Sequence, residues 1–209
     1  GVYNPTLIDA ANLATWLNAT SGQRREVVNT YYDTPNEIVP IAILPQSYET
    51  MRKRVSSITY EDVYDGNPLT YQHATHYNYD IHGNVYSLVQ DNKKLSTTDP
   101  NEQYKRLDYE YDLISGKVNK VTYQKDKHDQ FIHAYDYDAD NRIIEVKTSK
   151  DNIVWTKDAH YEYYDHGPLA RMELGQNQVQ GIDYAYTLQG WLKGINSNVL
   201  TDVADMGKD

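Results

Sequence analysis

The chain has 209 residues, among them 21 Tyr, one Phe, 14 Leu, 13 Ile, 15 Val and no Cys. Its 20 basic and 30 acidic residues leave a net charge of -10, a sign that repels phosphate backbones and excludes nucleic acid as a partner. No apolar run approaches the ~18 residues a spanning helix needs, and without Cys there is no disulfide framework, thiolate metal site or Cys nucleophile.

So thin an aliphatic set lies near the composition at which charged chains stay unfolded, so Tyr must supply part of the core. The start Gly1-Val2-Tyr3 has neither the basic nor the apolar region of a signal peptide. Thr6 is placed to cap a helix running to about Asn18, with Leu7, Ala11, Ala14 and Leu17 at helical spacing. Glu26 to Asp33 alternates as a strand does and ends in Tyr31-Tyr32-Asp33. Pro35, Pro40 and Pro45 then predict an extended, irregular stretch, and Val55 to Tyr64 returns to strand character.

From there one pattern recurs five times: Tyr, any residue, Tyr, a short polar turn, then an apolar strand. The pairs are Tyr77 and Tyr79, Tyr109 and Tyr111, Tyr135 and Tyr137, Tyr161 and Tyr163, and Tyr184 and Tyr186. The turn residue is Gly83, Gly116, Asn141, Gly167 or Gly190, the two residue types that most readily accept a positive φ. Two residues later stand Val85, Val118, Ile143, Leu169 and Leu192; five residues later stand Leu88, Val121, Val146, Met172 and Ile195.

Each unit reads as a β-hairpin, and the fold class as all-β: tandem antiparallel hairpins in a curved strip with a short, partly helical N-terminal segment. The two Tyr of a pair share a face. The Asp that follows three of the pairs, and Tyr31-Tyr32, is placed to bond the turn backbone. The two apolar positions are three apart, which in a flat strand puts them on opposite faces. A bulge that shifts the phase, or a sheet covered on both faces, resolves this, and a bulge is preferred. Residues 1–54 form the lead-in, 55–196 the repeat array and 197–209 a tail, with polar connectors between units as solvated tips. The Tyr31-Tyr32-Asp33 segment reads as a degenerate member.

The units Tyr77 to Val85, Tyr109 to Val118 and Tyr135 to Ile143 resemble YD repeats of the RHS family. The segment Gly181 to Leu192 is similar to one found in large RHS proteins of Bacteroidetes-type bacteria, as is Arg54-Val55-Ser56-Ser57 together with Tyr77 to Asn84. The resemblance covers about Ser56 to Asn196. It implies a section of a hollow β-sheet shell, non-enzymatic, from a secreted or cell-surface protein such as a polymorphic toxin. Its partners would be the remainder of the same shell and an enclosed C-terminal effector. The self-cleaving Asp-Pro-x-Gly motif of the family is missing: Asp99-Pro100-Asn101-Glu102 lacks the Gly. The chain ends at Asp209 with no effector in view, so shell wall without cargo is the expectation. Tyr164 and Thr187 replace the Asp of the last two units, which removes that Asp from any essential chemistry.

Other candidate sites reduce to simpler explanations. Asp136, Asp138 and Asp140 could collect a calcium ion, but they are better explained as turn caps. His73 and His76, three apart in a strand, point to opposite faces and cannot share a metal. There is no nucleophile elbow and no phosphate-cradling Gly loop. No cofactor is implied. The alternative to a scaffold is a glycan- or protein-binding module using the Tyr face, since stacked rings with rim hydroxyls bind sugars and peptides. An open strip also leaves two unpaired edges that tend to self-associate.

Overall fold

The computed structural model describes residue 15 and residues 24–35, 39–64, 70–95 and 102–196. Within them a single 12-stranded open sheet runs in strict sequence order, each strand antiparallel to the next. The strands pair into six hairpins: β1 (Arg25–Tyr32) with β2 (Val55–Val63), β3 (His73–Tyr79) with β4 (Val85–Asn92), and β5 (Tyr104–Tyr111) with β6 (Val118–Tyr123). The series continues with β7 (Phe131–Tyr137) and β8 (Ile143–Ser149), β9 (Thr156–Tyr163) and β10 (Leu169–Leu174), and β11 (Gln180–Tyr186) and β12 (Leu192–Ile195). The all-β expectation holds. The helix expected up to Asn18 lies, but for Thr15, outside the described residues.

The three-residue spacing of the apolar positions is resolved by a bulge, at the same place in every hairpin. Tyr77 faces Leu88 and Asn78 faces Ser87, but Tyr79 faces Val85, so Tyr86 is the extra residue. The same register shift follows Glu110, Asp136, Glu162 and Ala185, with Asn119, Ile144, Ala170 and Lys193 in the extra position. A bulge of one residue returns the strand to the same face with odd spacing. Each Tyr therefore has an apolar partner directly across: the second Tyr meets the residue two after the turn, and the first meets the residue five after it.

The first hairpin obeys the same rule. Thr30 faces Ile58, Tyr32 faces Val55 and the shift falls between them. Lys53 then occupies the turn position at φ 59 and Arg54 the place after it, while Asp33 bonds the Lys53 amide. Thr30-Tyr31-Tyr32-Asp33 is thus a sixth unit with a long insertion in its turn, so the lead-in supplies one strand of the sheet. That insertion contains α1 (Tyr48–Met51), a single turn capped by the Ser47 hydroxyl within the stretch expected to be irregular.

The insertion lies over one face of β2 to β5. Gln46 Nε2 donates to the carbonyls of Ser56 (3.2 Å) and Tyr77 (2.6 Å), and Asn78 Nδ2 donates to Pro45 O at 3.1 Å. Arg106 Nη1 reaches Ile43 O at 2.9 Å. Val39 and Leu44 pack on Val89 there, with Ile43 and Tyr104 beside them. Beyond this cap the same face carries charge: Asp136, Glu145, His160 and Glu173 form one cross-strand row. Lys147 bridges Asp136 (2.7 Å) and Glu145 (3.2 Å), and Arg171 pairs with Asp183 at 2.9 Å. The opposite face carries the Tyr pairs and their apolar partners, half-buried except for Leu192 and Ile195 on β12, which are exposed. Among the described residues no helix is long and apolar enough to cross a membrane.

Candidate functional site

The Tyr face holds a ladder that joins one hairpin to the next. Adjacent hairpins pair in a fixed register that begins at Ser57–His76, Ser87–Asp108, Lys120–Ala134, Glu145–His160 and Arg171–Asp183. In each case the ladder starts two residues after the apolar residue that follows the turn. The carbonyl of that residue therefore lies outside the inter-hairpin pairing and needs another donor. The second Tyr of the following hairpin supplies it. Tyr79 donates its hydroxyl to Val55 O (2.9 Å), Tyr111 to Val85 O (2.9 Å), Tyr137 to Val118 O (2.8 Å) and Tyr163 to Ile143 O (2.8 Å).

These four rungs explain why the chain uses Tyr in place of Phe. A Phe ring would pack as well on Val85 or Ile143, but it would leave a partly buried carbonyl without a donor. Burial pushes the hydroxyls of Tyr79, Tyr111, Tyr137 and Tyr163 above the usual phenol value of 10.0, so they remain donors across the neutral range. Tyr77 and Tyr109 stack on Tyr79 and Tyr111, each pair 6.4 Å between centroids. Arg54 lies over the Tyr79 ring at 5.5 Å and Arg142 over Tyr163 at 4.5 Å, each from the position just after a turn. The last junction departs from the rule. Tyr186 meets Tyr164 edge-on at 6.3 Å, and the bond across this junction runs from the Tyr164 hydroxyl to Tyr184 O at 2.9 Å.

The turns close as the sequence requires. Gly83, Gly116, Gly167 and Gly190 have positive φ, as does Asn141 at 63°. The residue before the turn donates its amide across the loop, from Asp80 to Asn84 O (3.0 Å), Asp138 to Arg142 O (2.9 Å) and Asp33 to Arg54 O (3.1 Å). Asp80 Oδ1 accepts from the amides of His82, Gly83 and Asn84 at 2.7–2.9 Å. Burial alone would raise the Asp80 carboxyl, but these bonds and the Asn84 side chain hold it below its ordinary value. Backbone bonds do the same for Asp112, chiefly from Ser115, and for Asp138, chiefly from Arg142. Where Thr187 replaces Asp, its hydroxyl accepts from Trp191 N at 3.2 Å.

Asp136, Asp138 and Asp140 do not converge. Asp136 pairs with Lys147, while Arg142 bridges Asp138 (2.7 Å) and Asp140 (3.2 Å) across the turn. His73 stacks on Tyr60 at 4.5 Å on the Tyr face, and His76 is buried on the other. Among the described residues no group of three His, Cys, Asp or Glu side chains could hold a metal ion. The repeat residues Tyr77, Tyr79, Gly83, Tyr109, Tyr111, Gly116, Tyr135, Tyr137, Asn141, Tyr161, Tyr163, Gly167, Tyr184, Tyr186 and Gly190 all sit in strand ends and turns along one side of the sheet.

Among the described residues, the most deeply buried Tyr stands outside the repeat. Tyr71, 1% exposed, donates its hydroxyl to Asp91 Oδ2 at 2.6 Å, and Gln103 Nε2 donates to Asp91 Oδ1 at 2.9 Å. Burial opposes ionisation of Asp91, but its neighbours, His76, Tyr71 and Gln103, hold its carboxyl below the usual range. His76 Nε2 stands 3.8 Å away, a charge-pair distance. Lys93 Nζ lies 3.7 Å over the Tyr71 ring. This network ties the connectors before β3 and after β4 to the approach of β5. Only a buried Asp close to strand residues in sequence could have signalled it.

No family model matches the chain, and no curated protein matches it. Among solved structures it is similar to a crystal structure of TcdB2-TccC3 without its hypervariable C-terminal region, at 15% identity and a TM-score of 0.51. That match covers 71% of this chain and 7% of the other. It is also similar to a crystal structure of TcdB2-TccC3 at 14% identity and a TM-score of 0.48, over 86% of this chain and 10% of that one. The chain spans a small part of the length of both. At 15% identity the first likeness shows the fold alone, an RHS-like arrangement of β-hairpin repeats.

Proposed function

We propose that the chain is a non-enzymatic scaffold, a section of the wall of an encapsulating shell in a secreted or surface RHS-type protein of the Bacteroidetes type. The observation that carries this reading is the repeated junction: one register and one hydroxyl-to-carbonyl rung join hairpin after hairpin. Such a joint makes a continuous wall from units that cannot bury a face alone. In this reading residues 55–196 are the array, 1–54 its lead-in and 197–209 a tail. The partners are the rest of the same shell and a C-terminal effector enclosed by it, as in polymorphic toxins. The resemblance of the Tyr-x-Tyr units and the likeness to TcdB2-TccC3 support it.

The hydroxyls of Tyr79, Tyr111, Tyr137 and Tyr163, the second Tyr of four of the five pairs, are already committed to backbone carbonyls, which removes them from the rim that a sugar would need. Glycan-array and protein-binding screens of the 209-residue chain, alongside its Tyr109→Ala variant, test the reading. The expected outcome is no ligand that depends on Tyr109. A tight ligand lost in the variant would replace the scaffold with a binding module.

A further inference from the structure

We propose that the two terminal strands are complementary halves of one junction, so that β1 of one copy of this chain docks head to tail on β12 of a second copy. This rests on the junction geometry and is independent of the shell reading. At all five internal junctions the residue two after the bulge-side carbonyl faces the residue three before the second Tyr of the next hairpin. The two ends of the strip carry the two halves of this rule. Leu192 pairs with Tyr186 across the bulge, so it occupies the place of Val55, Val85, Val118, Ile143 and Leu169. Tyr32 pairs with Val55 across the bulge of the first hairpin, so it occupies the place of the rung tyrosines.

Continuing the register sets Gly194 against Asn29, Ile195 against Val28, and the Tyr32 hydroxyl at Leu192 O. The pair next in the ladder is Ile58–Thr75, Leu88–Leu107, Val121–His133, Val146–Ala159 and Met172–Ile182 at the five internal junctions, with at least one apolar partner in each. Ile195 and Val28 fit that series, and both are exposed, 54% and 59%. Tyr32 is exposed as well, at 56%. A second copy fits because one chain bears both the donor strand and the acceptor strand. Pairing β1 with β1 about a two-fold axis would run the two strands antiparallel, set Tyr32 near Arg25 of the other copy and leave both Leu192 carbonyls unserved. The contact is therefore heterologous and adds copies in series. The net charge of -10 on each copy opposes it, so added salt favours it.

The native chain has no Cys, so introduced thiols report the register without background. Opposed residues on paired strands lie close enough for a disulfide. Val28→Cys and Ile195→Cys chains, mixed and oxidised, should form a disulfide dimer, whereas either variant alone should form little. Light scattering of the unmodified chain should show masses rising above 24.2 kDa with concentration. Tyr32→Phe should weaken the association roughly 2- to 10-fold, the value of one hydrogen bond. A mass fixed at 24.2 kDa at every concentration and salt level overturns the proposal. So does cross-linking of either single variant as efficient as that of the mixture, which would show two-fold edge pairing.

Discussion

Replacing Tyr111 by Phe removes one oxygen and leaves the ring against Val118 in place. What is lost is the 2.9 Å bond to Val85 O, in a partly buried site. A neutral hydrogen bond contributes about 1 kcal/mol net, and a carbonyl left dry costs up to about 3 kcal/mol. Because water can reach part of this site, the loss should lie near the lower value, about 1 kcal/mol, or about 2–4 °C in Tm for a chain of this size. Successive rungs are two strand spacings apart, about 10 Å, so their losses should add. Tyr79, Tyr111, Tyr137 and Tyr163 all changed to Phe should then cost about 4 kcal/mol, a large part of an ordinary domain's stability. Urea unfolding followed by circular dichroism, with calorimetry, measures each step. The control is Tyr109→Phe, at the neighbouring ring that carries no rung. An equal loss at Tyr109 and Tyr111, or no loss at Tyr111, would refute the reasoning.

The turns give a second contrast. A Cβ on Gly83 would stand 2.6 Å from Arg54 Nη2 with φ at +99°, whereas one on Gly116 meets nothing within 4 Å. Gly116→Ala should cost about 1 kcal/mol from its positive φ alone, and Gly83→Ala more, through strain and displacement of Arg54 from Tyr79; urea midpoints compare the two. Asp80, Asp112 and Asp138 have depressed folded values. Their contribution is complete above the ordinary value of 3.8 and disappears as pH falls through the lower folded values. Asp80→Asn with Asp138→Asn should flatten stability measured from pH 5 to pH 2. The rung tyrosines titrate above 10.0, so stability should hold up to that pH and fall as pH rises past it; alkaline unfolding scans check this. Gln46→Ala should release the insertion, raising hydrogen exchange at residues 39–51 and leaving β7 to β10 unchanged.

The hairpins were legible because their signals are residue types at fixed offsets: Tyr-x-Tyr, then Gly or Asn, then two apolar positions. Even the bulge could be anticipated, because Val85 and Leu88 cannot share a face without one. The rungs were not legible. Their acceptors are backbone carbonyls 19–26 residues upstream, and no side chain marks a carbonyl that the ladder leaves out. The sixth hairpin was half visible in Tyr31-Tyr32-Asp33. Its first Tyr position holds Thr30 and its turn residue is Lys53, separated from Asp33 by the inserted stretch, so the pairing appears only in three dimensions. The insertion's place over β2 to β5 depends on Gln46, Asn78 and Arg106, three polar residues that reach main-chain carbonyls across the contact, and a carbonyl carries no mark in the sequence. The abundance of Tyr pointed to core. The structure gives it a more particular task, with the repeat rings half-buried and Tyr71, among the described residues, fully enclosed.

The claim that these hairpins form a section of wall is tested most directly by electron cryo-microscopy of the native polypeptide that carries them. The account predicts residues 25–195 embedded in a closed β-sheet wall. β1 and β12 should each be paired to another strand in the register of the internal junctions, and density for an effector should lie inside. A freestanding strip with both edges bare, or a Tyr face laid against a bound ligand, would contradict it.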